Sequence, residues 1–180
     1  MSKRLTLVLG GARAGKSTYA QELATAGDRV LFVATAEALD EEMSTRIQVH
    51  KQSRPSEWDT LEEPLDLVPA MKPLLPDYDT VLLDCLTLWV TNLLLRDSNP
   101  ENVDIPAEVR NLLDLHRDQD ASWIVVSNEV GLGLVATTKL GRLFTDELGR
   151  VNQMIAAEAD EVIFMAAGLP LTLKPSDHRR

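Results

Sequence analysis

The residues best placed to do chemistry come first in the chain. Gly10-Gly11-Ala12-Arg13-Ala14-Gly15-Lys16-Ser17 matches the spacing G-x-x-x-x-G-K-S in full. Glycines let a backbone curl until successive N–H groups point inward at phosphate oxygens. A helix opening at Lys16 would add the partial positive charge of its N-terminus at the same spot. Lys16 is then expected on the β- and γ-phosphates of a nucleoside triphosphate, and the Ser17 hydroxyl on Mg²⁺. A second group is Asp84, which ends the apolar run Thr80–Asp84. Parallel strands deliver their C-terminal ends to one edge of a sheet, so Asp84 is expected near Ser17 as the second Mg²⁺ residue. Taken alone, an Asp there would simply cap the next helix.

A third group lies on an expected helix, Glu37–Ser53. Leu39, Met43, Ile47 and His50 recur at helical spacing, and Arg46, His50 and Arg54 are each four residues apart, on overlapping surfaces. Pro55 ends the helix. Two guanidiniums flanking an imidazole, with Lys51 adjacent, make a local anion site, and neutral imidazole is a competent nucleophile at phosphorus. From spacing alone, a histidine hydrogen-bonded at a helix edge beside solvated arginines is the plainer reading. His116 and His178 lack such a setting and read as surface residues.

The elements that must position these groups alternate. Short runs rich in Val, Ile and Leu occur at Leu5–Leu9, Val30–Ala34, Thr80–Asp84, Trp123–Ser127 and Glu161–Ala166, with Leu171–Lys174 as an edge strand. They are near-continuous rather than alternating, as strands covered on both faces are. Helical patterns fall at Lys16–Ala26, Glu37–Ser53, Leu86–Arg96, Ala107–Arg117 and Lys139–Ala159. The last carries an apolar stripe through Leu140, Phe144, Leu148, Val151 and Ile155. This alternation implies an α/β fold with a mostly parallel central sheet and helices on both faces. Residues 54–78, with five prolines, are expected to hold at most short helical pieces, and Asp97–Pro106 reads as a loop. Asn128 and Glu129 follow a strand at the same sheet edge. They are candidates for Mg²⁺ or acceptor contacts, or for capping the next turn.

At 180 residues the chain is expected to form one domain, with a core of Leu, Val, Ile and Ala, since aromatics make up only 4%. A net charge of −10 argues against nucleic acid as a partner. Any polyanionic ligand must be held by a local cluster of cations. The single cysteine, Cys85, reads as a buried, inert thiol in a reducing cytoplasm. Neither a signal peptide nor a membrane span is expected, because no apolar run is long enough. The loop and the acid on their own also suit a simple kinase of another small hydroxyl compound, or a nucleotide-dependent regulator without transferase activity.

Five blocks, in order, resemble one family. They are the loop Gly10–Ser17; Arg46-Ile47-Gln48-Val49-His50-Lys51 with Arg54-Pro55 and Trp58; Asp84-Cys85-Leu86-Thr87 leading to Thr91-Asn92-Leu93-Leu94; Ser127-Asn128-Glu129-Val130-Gly131; and Gly149-Arg150-Val151-Asn152-Gln153. The family is the bifunctional adenosylcobinamide kinase / adenosylcobinamide-phosphate guanylyltransferases of cobalamin biosynthesis. The resemblance implies a RecA-like P-loop NTPase fold, a homotrimer, and two reactions. Adenosylcobinamide is phosphorylated from ATP or GTP. GMP from GTP then passes to that phosphate through a GMP-histidine intermediate at the position of His50. Nucleotide contacts carried over from the family fall on Gly10, Gly11, Ala12, Arg13, Ala14, Gly15, Lys16, Ser17, Ala34, Thr35, Ala36, Lys51, Gln52, Ser53, Arg54, Glu62 and Asp84. Arg46 and Arg54 would offset phosphate charge. Some members carry two consecutive histidines here; this chain has Val49 before His50, leaving one candidate nucleophile.

Overall fold

The computed structural model describes residues 3–37, 48, 51 and 54–176. Within them the chain builds a seven-stranded sheet: β1 (Leu5–Gly10), β2 (Val30–Ala34), β3 (Asp59–Glu62), β4 (Thr80–Asp84), β5 (Ser122–Val126), β6 (Glu161–Ala166) and β7 (Leu169–Lys174). The spatial order is β3-β2-β4-β5-β1-β6-β7. β1 to β6 run parallel, and β7 returns antiparallel along β6.

The continuous apolar strands are explained by what covers them. α1 (Lys16–Ala24) lies on one face, where Ala20 and Ala24 pack with Val8, Phe32, Leu82, Ile124 and Ile163. The other face carries α2 (Leu67–Met71), α3 (Leu86–Leu95), α4 (Ile105–Arg117) and α5 (Lys139–Glu158). There Leu7, Leu31, Leu83 and Val125 meet Trp89, Leu93, Val109, Leu112, Leu148, Val151 and Ile155. Both faces of each inner strand therefore demand apolar side chains. Of the stripe on α5, Leu148, Val151 and Ile155 are buried and Phe144 partly so, while Leu140 is exposed at the start of the helix.

Three boundaries differ from the sequence reading. Residues 54–78 hold, besides α2 and a 3₁₀ turn at Leu75–Asp77, the strand β3, which pairs with β2 from Leu31↔Asp59 to Ala34↔Glu62. Its sequence, DTLE, is mostly exposed at the sheet edge, so it lacks the apolar signature of a covered strand. α4 starts at Ile105, two residues earlier than expected. Asp104 caps it, its Oδ1 accepting from Ala107 N at 2.9 Å, and Pro106 sits in the first turn, where no N–H is needed. Of the expected helix Glu37–Ser53, Gln48 and Lys51 are helical and Glu37 is not; residues 38–47, 49–50 and 52–53 lie outside the described residues.

Candidate active site

β1, β5 and β4 end side by side at one edge of the sheet. Val126 lies in register with Val8 on one side and Asp84 on the other, so β5 separates the phosphate loop from the acidic strand. At about 4.8 Å per strand, the two ends stand roughly 10 Å apart, room for a phosphate chain and its cation.

The loop after β1 is held in shape by its glycines. Gly10 adopts φ 151°, opposite Met165 on β6, and a Cβ there would lie 2.5 Å from the Met165 carbonyl oxygen. Gly15 is left-handed at φ 92° and opens α1 without a side-chain cap, leaving the first N–H groups of the helix to a ligand. Its backbone rests on the turn between β6 and β7, where Gly168 N donates to the Ala14 carbonyl at 3.1 Å. Lys16 is 8% exposed, and its ammonium donates to the Gly11 carbonyl at 2.7 Å. Burial lowers its pKa, opposed by Cys85 and Asp84.

A cavity of about 660 Å³ runs from this loop across the strand ends to β2 and β3. Most of the expected nucleotide residues line it: Ala12, Arg13, Ala14, Gly15, Lys16, Ser17, Ala34, Ala36, Arg54, Glu62 and Asp84. Gly10 and Gly11 underlie the loop. Thr35 stands behind the wall, fully buried, with its hydroxyl donating to Cys85 O at 2.7 Å and accepting from Cys85 N at 2.9 Å. Lys51 pairs with Glu62 at 2.5 Å. Arg46, His50, Gln52 and Ser53 lie outside the described residues.

Arg54 is the least conventional member. Its guanidinium lies flat over the Phe32 ring, 3.8 Å from the centroid, in the cation–π arrangement. Nε and Nη1 are buried and find no hydrogen-bond partner among the described residues. Burial lowers its pKa, while Asp84 and Glu62 act the other way. Desolvated, unpaired N–H groups on a cation cost free energy unless an anion meets them.

Ser17 and Asp84 offer hard oxygen donors beside the loop. Among the described residues no group of three or more His, Cys, Asp or Glu side chains converges elsewhere. That sparse donor set suits Mg²⁺, which keeps waters and takes substrate phosphates as ligands. Cys85, not Asp84, occupies the cap position of α3, and makes no side-chain capping bond. Glu129 is engaged locally, its Oε1 accepting from Gly131 N at 2.6 Å, whereas Asn128 lines the cavity.

The sequence reading missed Phe32, Thr87 and Leu88 on the cavity wall. Phe32 reads as one more apolar strand residue, and only the Asp84-Cys85-Leu86-Thr87 block hints at Thr87. Cys85 also lines the cavity, and burial pushes its thiol up to about 12, in keeping with an inert thiol. His116 is not a surface residue. It is half-buried, edge-on to Trp123 at 5.3 Å, because α4 packs against β5 at that point.

A family model, cobinamide kinase / cobinamide phosphate guanyltransferase, matches residues 6–173. The chain belongs to this family. It is accordingly an enzyme, and its relatives span the same length. The bifunctional adenosylcobalamin biosynthesis protein CobP of Pseudomonas aeruginosa is 46% identical over 169 residues, covering 93% of this chain and 96% of that protein. The bifunctional adenosylcobalamin biosynthesis proteins CobU of Salmonella typhimurium and Escherichia coli are 42% and 39% identical, each alignment covering 94% of this chain and 99% of the relative. Among solved structures, the RadB recombinase aligns with a TM-score of 0.50 at 14% identity, over 91% of this chain and 74% of that one. A type III secretion ATPase aligns at 0.57 and 8% identity, over 91% and 52%. Both likenesses concern the fold, which is RecA-like. No helix of the described residues is long and apolar enough to cross a membrane.

Proposed function

We propose that this enzyme phosphorylates adenosylcobinamide with ATP or GTP, then transfers GMP from GTP to adenosylcobinamide phosphate, releasing pyrophosphate. The observation that carries this reading is the shape of the cavity: a phosphate loop at one end, and Arg54, with two buried N–H groups unpaired among the described residues, at the other. A kinase breaks only the bond between the β- and γ-phosphates. A second anion-seeking group farther along suits a reaction at the α-phosphate as well.

In the kinase step the acceptor hydroxyl oxygen attacks the γ-phosphorus, and its bond to the β-phosphate oxygen breaks. Loop N–H groups and Lys16 hold the phosphates being separated. Mg²⁺, held by Ser17 and Asp84, would supply charge neutralisation on the phosphate oxygens. In the transfer step an imidazole nitrogen of His50 attacks the α-phosphorus of GTP. The bond to the β-phosphate breaks, and pyrophosphate leaves from where Lys16 already stabilises it. A phosphate oxygen of adenosylcobinamide phosphate then attacks the phosphoramidate, freeing His50 and giving adenosylcobinamide-GDP. Arg46 and Arg54 offset charge on the α-phosphate, and Ala34, Thr35, Ala36, Lys51, Gln52, Ser53 and Glu62 complete the nucleotide site. The same reading takes the enzyme to be cytoplasmic and a homotrimer, the latter in keeping with the exposed leucines of β7.

The test is to incubate the protein with GTP labelled at the α-phosphate, denature it, and look for an acid-labile, base-stable adduct. Label on the wild type and none on His50→Ala supports the reading. No label on the wild type, or equal label on both, would sink it. Phosphorylation of adenosylcobinamide should survive His50→Ala better than GMP transfer does.

A further inference from the structure

The cavity wall is set by two side chains that do not line it. α3 is a mostly apolar helix, LTLWVTNLLL, yet it buries Asn92 at 8% exposure. An asparagine there costs free energy unless its amide is satisfied, and a leucine would pack better. Its Nδ2 donates twice, to the Thr35 carbonyl at 2.8 Å and to the Pro64 carbonyl at 3.1 Å. Those acceptors belong to different segments, the loop after β2 and the loop after β3.

Thr35 extends the connection to a third. Its N–H donates to the Asp84 carbonyl at 3.3 Å, and its hydroxyl exchanges hydrogen bonds with Cys85. Glu63 N closes the set on the Ala34 carbonyl at 3.0 Å. The loops after β2, β3 and β4, which follow directly on Ala34, Glu62 and Asp84 and include Ala36, are thus tied together at their backbones by one threonine and one asparagine.

We infer that Asn92, acting through Thr35, is a positioning residue that holds the Glu62 end of the cavity at a fixed distance from the phosphate loop. On the nucleotide-transfer reading, on which this rests, that end takes the nucleoside part of GTP. The phosphate loop is anchored separately: Glu129 N donates to the Gly10 carbonyl at 3.1 Å, and Gly168 N to the Ala14 carbonyl at 3.1 Å. Loss of Asn92 should therefore loosen the nucleoside end and leave the triphosphate cradle in place.

The experiment measures Kd for Mg-GTP and for Mg-tripolyphosphate, a probe with no nucleoside, by calorimetry. Asn92→Asp keeps the shape but has no side-chain N–H; Thr35→Val removes the hydroxyl at constant volume. Either is expected to weaken GTP by about tenfold and tripolyphosphate by no more than about twofold. In turnover, KM for GTP should rise by about the same factor with kcat within about threefold. Thr35→Ser, which keeps the hydroxyl, should restore GTP binding to within about twofold of wild type. Equal losses for the two probes, or unchanged GTP binding in either variant, overturn the inference, and Thr35→Val decides it should Asn92→Asp fail to fold. Wild-type protein that holds GTP no tighter than tripolyphosphate overturns the nucleotide-transfer reading as well.

Discussion

Lys16 is buried and partly desolvated, and the cation is retained at some cost to the empty protein. Lys16→Met should accordingly change stability little: the cost of leaving the Gly11 carbonyl unpaired, about 1 kcal/mol, is offset by removing a buried charge, so Tm moves by no more than about 4 °C. Triphosphate affinity should nevertheless fall by about a hundredfold, measured by calorimetry. His116 supplies a pH effect. Burial, aided by the Lys3 charge, brings its pKa from 6.5 down to about 4, and Nε2 has no hydrogen-bond partner among the described residues. Between pH 6.5 and 4 the unfolded chain binds a proton that the folded chain refuses, so stability falls as pH drops through that window. With its half-exposed setting discounted, the loss should be about 1–2 kcal/mol in urea unfolding, and His116→Gln should remove that part of the slope. Cys85, with a thiol near 12, should react with iodoacetamide at pH 8 at least about a hundredfold more slowly than an ordinary thiol.

At the scale of elements, the phosphate loop depends on how closely β1 and β6 approach. Gly10→Ala puts a methyl against the Met165 carbonyl and strains a φ of 151°; it should cost about 2–4 kcal/mol in urea unfolding. Gly11→Ala, with nothing within 4 Å of its Cβ, should stay within about 0.5 kcal/mol of wild type. The covered strands were legible because burial on two faces leaves an unbroken apolar run, and the phosphate loop because its spacing is set by the backbone curl. β3 was not legible: four residues at an edge need no apolar face. The Arg54–Phe32 stack was equally hidden, since only the pairing of β2 with β3 brings position 54 back over position 32. Asn92 and Thr35 stood out only through the family resemblance; their hydrogen bonds appear once the topology places three loops around them. Pro106 read as a loop residue because a proline breaks a helix interior, yet in a first turn it begins one.

For the whole molecule, the exposed apolar side chains gather on β7 and on the loop after β5. Leu169, Leu171 and Leu173 are 70%, 58% and 55% exposed along one edge strand. An open apolar edge tends to pair with another chain; on the homotrimer proposed above, light scattering should find three copies. Leu171→Lys should lower the mass toward a monomer, and an unchanged mass would remove β7 from the interface. The strand order has a further consequence, met when the protein is made. β1 emerges from the ribosome first, but Leu5 pairs with Trp123 and Thr6 with Glu161, so neither partner strand exists until most of the chain has been translated. At about 5–20 residues per second, the nascent apolar segment and the glycine loop behind it wait on the order of ten seconds. Until then β1 is a ready client for a holdase chaperone. A ribosome stalled before Ser122 should carry a chain whose first residues are cut freely by protease, and one stalled in a long linker added after Arg180 a chain that resists.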